Sequence, residues 1–259
     1  MKRFRFIIAL LPLLLYISAC YPQNNERDVI YQVSTIDALL EGIYDGQTTY
    51  KELRNHGDFG IGTFNNLDGE MIALEGTFYQ IKVDGIAYEV SDRMQTPFAV
   101  VTYFEKDIDK PINDSMNYQQ LQQFMDTIVP TDNIFYAIRI DGLFSYIKVR
   151  SVPRQERPYL PLVEVTEEQK IFEFKDITGT LVGFRSPPYI TGINVPGYHL
   201  HFITEDRKAG GHLLECLTQN GEMEIDTTPQ FLLILPEDKE FYNVILGEDK
   251  QKEVEEVEK

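Results

Sequence analysis

Three of the four histidines in this 259-residue chain fall within fourteen residues: His199 and His201 in Gly197-Tyr198-His199-Leu200-His201-Phe202, then His212 after Gly210-Gly211. On an extended strand, side chains alternate between faces. His199 and His201 therefore share one face, and Tyr198, Leu200 and Phe202 share the other. The residues between, Thr204-Glu205-Asp206-Arg207-Lys208 and the two glycines, read as a reversal. An adjacent antiparallel strand then brings His212 to the same face. Three imidazoles on one rigid face are the ligand set of an open catalytic zinc site, with the fourth position left for water or substrate. Neutral imidazole also suits iron, cobalt, nickel and copper. Zinc is preferred because no carboxylate within the cluster completes a two-histidine facial triad at an obvious spacing. A lone His-x-His is more often two hydrogen-bonded or solvent-facing histidines, so the third histidine carries the inference. His56, in Asn55-His56-Gly57, stands apart as a loop residue.

Around this cluster the patterning is mostly that of short strands. Residues 34–46 predict a helix, with Ser34 or Thr35 as cap, Ile36, Leu39, Leu40 and Ile43 at helical spacing and Gly46 as the stop. A short helix is expected at 50–55, another over 117–129, and a charged, helical tail at the C-terminus. From 59 to 105 the chain alternates apolar runs with Leu67-Asp68-Gly69 and Val83-Asp84-Gly85, both hairpin signals. Asp141-Gly142 is read the same way, joining FYAIRI to FSYIKVR. Further strands are expected at 170–174, 179–184, 198–203, 212–218, 222–226 and 230–235. Strands run together more than they alternate with helices, which predicts an α+β fold of mixed or antiparallel sheets with a few helices. Pro153, Pro158 and Pro161 mark an expected boundary between an N-terminal α+β subdomain (29–152) and a C-terminal β-rich, metal-binding subdomain (163–259). An apolar content of 43% is enough for a sizeable core.

Residues 1–20, MKRFRFIIALLPLLLYISAC, have the layout of a secretory signal peptide: Lys2, Arg3 and Arg5, then an apolar stretch, then small residues. Ile17-Ser18-Ala19-Cys20 resembles a bacterial lipobox. This predicts lipidation at Cys20, a short tether over 21–28 and an enzyme held outside the cytoplasm on the cell envelope. The formal charge of −17 repels phosphate and excludes nucleic acid as a natural partner. Cys216, among apolar residues in HLLECL, reads as a small buried hydrophobe and not a nucleophile.

Five segments resemble the alpha-acetolactate decarboxylase family: IYQVSTIDALLEGIYDG (30–46), HGDFGIGTFNNLDGEM (56–71), NIFYAIRIDGLF (133–144), GTLVGFRSPPYITGINVPGYHLHFITEDRKAGGHLLE (179–215) and the acidic terminus. The resemblance implies a zinc-dependent, commonly dimeric enzyme that converts 2-acetolactate to (R)-acetoin and carbon dioxide. It puts the metal on His199, His201 and His212, catalytic carboxylates on Glu70 and on Glu258 of the tail, and a substrate-binding, catalytic arginine at Arg150. Glu255 is the alternative to Glu258, because the register of the tail is loose. Thr63, in GIGTFN, falls on a pocket threonine.

The implied chemistry is coherent. Loss of CO2 from a 2-hydroxy-3-keto acid leaves an electron pair that must be delocalised as an enediolate. A dication chelated by the ketone and hydroxyl oxygens stabilises it without thiamine or pyridoxal, for neither of which is there a motif. Two other readings stay open on the residues alone. One is a metal-binding lipoprotein without enzymatic activity. The other is a different three-histidine zinc hydrolase or lyase.

Overall fold

Two β-sheets stacked against each other bury most of the apolar side chains of this computed structural model, which describes residues 27–258. The signal segment, Cys20 and most of the tether lie outside the described residues. The strands, in chain order, are β1 (Val29–Val33), β2 (Thr48–Thr49), β3 (Phe59–Thr63), β4 (Glu70–Leu74), β5 (Thr77–Ile81), β6 (Ala87–Glu89) and β7 (Gln95–Thr96). They continue with β8 (Ala99–Thr102), β9 (Ile108–Ile112), β10 (Phe135–Ser151), β11 (Lys170–Ser186), β12 (Gly197–Thr204), β13 (Gly210–Thr228) and β14 (Gln230–Ile234). Six short helices intervene: α1 (Ile36–Leu40), α2 (Tyr50–Leu53), α3 (Tyr118–Asp126), α4 (Leu162–Thr166), α5 (Lys239–Asn243) and α6 (Gln251–Val257). The fold is α+β. No helix among the described residues is long and apolar enough to cross a membrane.

One sheet has seven strands in the order β14-β1-β8-β3-β4-β5-β6, and the other has five in the order β10-β11-β12-β13-β9, with β10 also paired to β13. Both draw on residues before and after the proline-rich segment. β9 and β10 precede it yet belong to the five-stranded sheet, and β14 follows it yet pairs in parallel with β1. Residues 153–161 therefore connect β10 to α4 and do not separate one sheet from the other.

The helices form where capping and spacing predict, but they are shorter. α1 spans only Ile36–Leu40, with the Thr35 hydroxyl accepting from Ala38 N–H, and Gly42 (φ +81°) ends it earlier than Gly46. α3 carries a full capping box between Asn117 and Gln120.

The larger departure is in the long strands. Asp141-Gly142 is no turn: FYAIRI and FSYIKVR are one 17-residue strand, and the segments expected at 170–184 and 212–226 are likewise single strands of 17 and 19 residues. The reason lies across the ladders. Gly142 sits opposite both Gly179 and Gly221, so three glycines stand side by side. A Cβ at Gly142 would meet the Asn220 carbonyl oxygen at 2.6 Å, and one at Gly179 would meet the Ile203 carbonyl at 2.5 Å. The glycines permit close backbone approach in mid-strand. Asp141 finds its partners there too, accepting from Thr180 Oγ1 at 2.6 Å and Arg139 Nε at 2.6 Å. The register between β10 and β13 then shifts at Leu143/Phe144, Phe144/Tyr146 and Lys148/Val149, as β-bulges do.

Candidate active site

The site lies where β3 and β4 of the seven-stranded sheet meet β10, β12 and β13 of the other, and strand register assembles it. His201 on β12 is directly opposite His212 on β13, and His212 is directly opposite Arg150 on β10. In the facing sheet Thr63, the last residue of β3, is paired with Glu70, the first of β4. The turn between them requires Gly69 at φ +88°, and the Thr63 hydroxyl donates to the Gly69 carbonyl at 2.7 Å. Thr63 thus holds the turn that presents Glu70.

The three imidazoles converge. Ring centroids lie 5.2 Å apart for His199–His201, 5.0 Å for His199–His212 and 5.3 Å for His201–His212, and one ligand nitrogen from each falls within 4.8 Å of the others. They are 9%, 1% and 2% exposed in chain order. Burial drives their pKa values down, to about 3 for His199 and well below the usual range for the other two, with the Arg150 charge and neighbouring imidazoles adding to the effect. They are therefore neutral, as metal ligands must be. His201 Nδ1 lies 2.9 Å from the Met71 carbonyl oxygen, which can only accept; the proton sits on Nδ1 and the Nε2 lone pair faces the cluster. The Glu258 backbone accepts a hydrogen bond from His212.

The donor set fits a divalent transition ion. His199 Nδ1, His212 Nε2 and Glu70 Oε1 are buried with no hydrogen-bond partner among the described residues, an arrangement that is costly unless something else satisfies those atoms. Three neutral nitrogens with carboxylates close by suit zinc or a neighbouring transition metal.

Two carboxyl groups and one guanidinium close the constellation. Glu258 Oε2 lies 3.6 Å from His199 Nε2 and 3.7 Å from His212 Nε2, and Glu70 Oε2 lies 3.9 Å from His201 Nε2. Arg150, 4% exposed, has Nη1 4.0 Å from Glu70 Oε1, and its Nε has no hydrogen-bond partner among the described residues. Burial pushes both carboxyls up to about 7. Arg150 opposes the rise in each, and the Glu258 charge adds to it for Glu70. A bound dication would pull both down again.

Thr63, Glu70, Arg150, His199, His201, His212 and Glu258 all line one cavity. Glu255 does not: it is exposed, faces a separate groove and accepts from Gln251 Nε2 at 3.4 Å. Of the two tail glutamates, only Glu258 reaches the imidazoles. Elsewhere, His56 stacks on Tyr31 at 3.8 Å, far from the cluster in the fold's order, and Cys216 is buried with its thiol pushed up to about 12.

Sequence reasoning missed the apolar walls. Ile36 and Leu39 of α1, Leu67, Phe98, Val152, Leu162 of α4 and Val257 of α6 complete the lining. Helical spacing in 34–46 marked Ile36 and Leu39 as apolar-face residues, but nothing local said which core they face. The orienting Met71 carbonyl leaves no trace in side-chain pattern.

Comparison with known proteins agrees with this geometry. The sequence profile of the alpha-acetolactate decarboxylase family matches residues 30–248. The alpha-acetolactate decarboxylase of Methanosarcina mazei is 56% identical over 236 residues, covering 91% of this chain and 82% of that protein. That of Methylococcus capsulatus is 49% identical, covering 92% of each. The crystal structure of the Bacillus subtilis strain 168 alpha-acetolactate decarboxylase is 43% identical and superposes with a TM-score of 0.87, covering 89% of this chain and 99% of that one. By sequence and by fold, the chain belongs to the alpha-acetolactate decarboxylase family.

Proposed function

We propose that this protein is a zinc-dependent decarboxylase that converts 2-acetolactate to (R)-acetoin and carbon dioxide. The observation that carries this reading is the convergence of three neutral imidazoles, one buried carboxyl (Glu70), one partly buried carboxyl (Glu258) and one buried guanidinium on a single cavity with apolar walls. The family relationship supplies the substrate.

In the reaction the bond from C2 to the carboxylate breaks, CO2 leaves, and the electron pair passes into the neighbouring ketone. His199, His201 and His212 would hold the zinc ion, which when bound would supply Lewis acidity where negative charge develops on the substrate. Arg150 binds the carboxylate with its planar fork and turns the breaking bond out of the carbonyl plane, where overlap favours cleavage. Ile36, Leu39, Phe98 and Leu162 hold the methyl groups and exclude water. Thr63 offers its hydroxyl oxygen to the substrate hydroxyl and keeps Glu70 in place. One of the two carboxyls, Glu70 or Glu258, delivers a proton to a single face of C2, giving one enantiomer. That carboxyl is reprotonated from solvent, so each turnover consumes one proton.

The test is acetoin release from racemic acetolactate by metal-loaded protein, with and without a chelator, and with the product resolved on a chiral column. (R)-Acetoin lost on chelation and restored by zinc is expected. No acetoin from fully metallated protein would overturn the reading.

Two further parts of the proposal rest on sequence and resemblance. Residues 1–20 support export and lipid anchoring at Cys20, so Cys20→Ser should move the protein from the membrane to the soluble fraction. The family resemblance supports a homodimer, which light scattering after size exclusion would detect.

A further inference from the structure

Glu258 reaches the imidazoles from the end of α6, and α6 has only seven residues. A helix this short is not stable alone, so its place depends on what it docks against. Val254 and Val257 supply the apolar part, packed in one cluster with Ile36 and Leu39 of α1 and Leu162 and Val165 of α4. The charge balance opposes docking. Residues 248–259 carry six acidic and three basic side chains, and the opposing helix α1 presents Asp37 and Glu41.

Spaced four apart, Asp37 and Glu41 lie on one face of α1. Both turn to the tail: the Asp37 carboxylate accepts the Gly247 backbone N–H, and Glu41 Oε1 lies 2.5 Å from Lys250 Nζ. Lys250 is only 9% exposed and lies 3.3 Å from Glu253 as well. At the N-cap of α6, a single ammonium therefore bridges two carboxylates, Glu41 at the end of α1 and Glu253 on α6.

We infer that the clasp of Lys250 by Glu41, with Asp37 holding the Gly247 N–H just before it, docks the C-terminal helix and so sets the position of Glu258 over the imidazoles. Lys250, Glu41 and Asp37 are positioning residues; none of them lines the cavity. The inference rests on the proposed role of Glu258. Leverage makes the clasp matter. From Lys250 to Glu258 is about 12 Å of helix, so a tilt of about 5° at the clasp moves the carboxyl about 1 Å. Glu258 is also the side chain shared between the inner cavity and a groove of about 790 Å³ bounded by Tyr118, Gln122, Tyr198 and Gln251. A loosened tail would open the inner cavity to that groove. Lys250 and Glu258 both lie beyond the residues matched by the family profile.

The experiment compares Lys250→Met, Lys250→Arg, Glu41→Gln, Glu258→Gln and Lys250→Met/Glu258→Gln in the full-length, metal-loaded protein. Lys250→Met is expected to lower kcat by about 10- to 100-fold with metal content unchanged, because small misplacements of a reacting group cost that much. Lys250→Arg keeps most of the turnover. Limited proteolysis after residue 244 quickens in Lys250→Met, and in the Glu258→Gln background Lys250→Met lowers kcat no further. Glu41→Gln, on the more exposed partner, reads the same contact should Lys250→Met fold poorly. Full turnover in Lys250→Met beside an impaired Glu258→Gln overturns the clasp, as does an equal further loss in the double variant. Full turnover in Glu258→Gln instead overturns the reading of Glu258, and the positioning role falls with it.

Discussion

Replacing Arg150 by lysine isolates what a planar fork contributes at this site. Arg150 is 4% exposed, its Nη1 stands 4.0 Å from Glu70, too far for a hydrogen bond, and its Nε has no hydrogen-bond partner among the described residues. The fork is therefore available for a substrate carboxylate, which can accept two parallel charge-assisted bonds. Lysine keeps the charge and provides one point donor. Losing one charge-assisted bond costs about 1.5–3 kcal/mol, or roughly 10- to 150-fold in kcat/KM. Arg150→Met should cost more, because the Arg150 charge also holds down the pKa values of Glu70 and Glu258. Without the cation both carboxyls rise, and the limb of the pH–rate profile that reports them moves to higher pH. The assay is steady-state acetoin formation from pH 5 to 9 on samples matched for bound metal. A kcat/KM for Arg150→Lys within twofold of the parent, with metal fully bound, would refute the assignment of the fork to the substrate.

Deleting residues 254–259 removes Glu258 together with the two buried valines of α6. Turnover should vanish while bound metal and far-UV circular dichroism persist; a fully active truncation excludes the tail from the mechanism. His199→Ala should lose metal and activity together, as measured by atomic spectroscopy on the dialysed protein. Asp226, 1% exposed, has its carboxyl pushed up to about 7, chiefly by burial, with Asp107, Asp28 and Glu105 adding repulsion against the Glu105 N–H bond that lowers it. The folded state then holds a proton that the unfolded state releases near pH 4, so this stability contribution is present below pH 4 and is lost as pH rises through 7. Asp226→Asn should flatten that slope and gain ~1–3 kcal/mol at pH 8 in urea titrations. Gly179→Ala places a methyl 2.5 Å from the Ile203 carbonyl and the Phe202 ring, and a cost of about 1–3 kcal/mol should appear as a lower Tm in thermal melts.

The fold class was legible because strand and turn signals are local. Thr35 announced its helix by capping chemistry that needs no tertiary context, and the apolar spacing of 117–129 announced another. Asp141-Gly142 misled for an instructive reason. The dipeptide specifies a turn only when no partner strand offers the glycine a close neighbour and the aspartate a donor. Here Gly179, Gly221, Thr180 and Arg139 supply both, so the pair continues a strand. The proline-rich segment misled differently. Proline does stop β10, but a stop in the chain says nothing about which sheet the next strand joins, and β14 returns to pair with β1 across nearly the whole sequence.

The site divides along the same line. His199, His201 and His212 could be found from residues alone, because a period-two strand and a tight reversal fix all three within fourteen positions. Glu70, Arg150 and Glu258 could not. Each arrives from a different element, and its role depends on burial that its own neighbours do not reveal: Arg150 precedes a proline-rich loop, and Glu258 ends a charged tail. Their environment arises only when the end of β4 faces β12 and β13 and when Val254 and Val257 pull α6 into the core. Desolvation then makes an ordinary turn glutamate and an ordinary terminal one into carboxyls poised near neutrality. The imidazole trio is thus encoded by spacing, whereas the carboxyls and guanidinium beside it are brought there by packing, in which Val254 and Val257 seat α6 against α1 and α4.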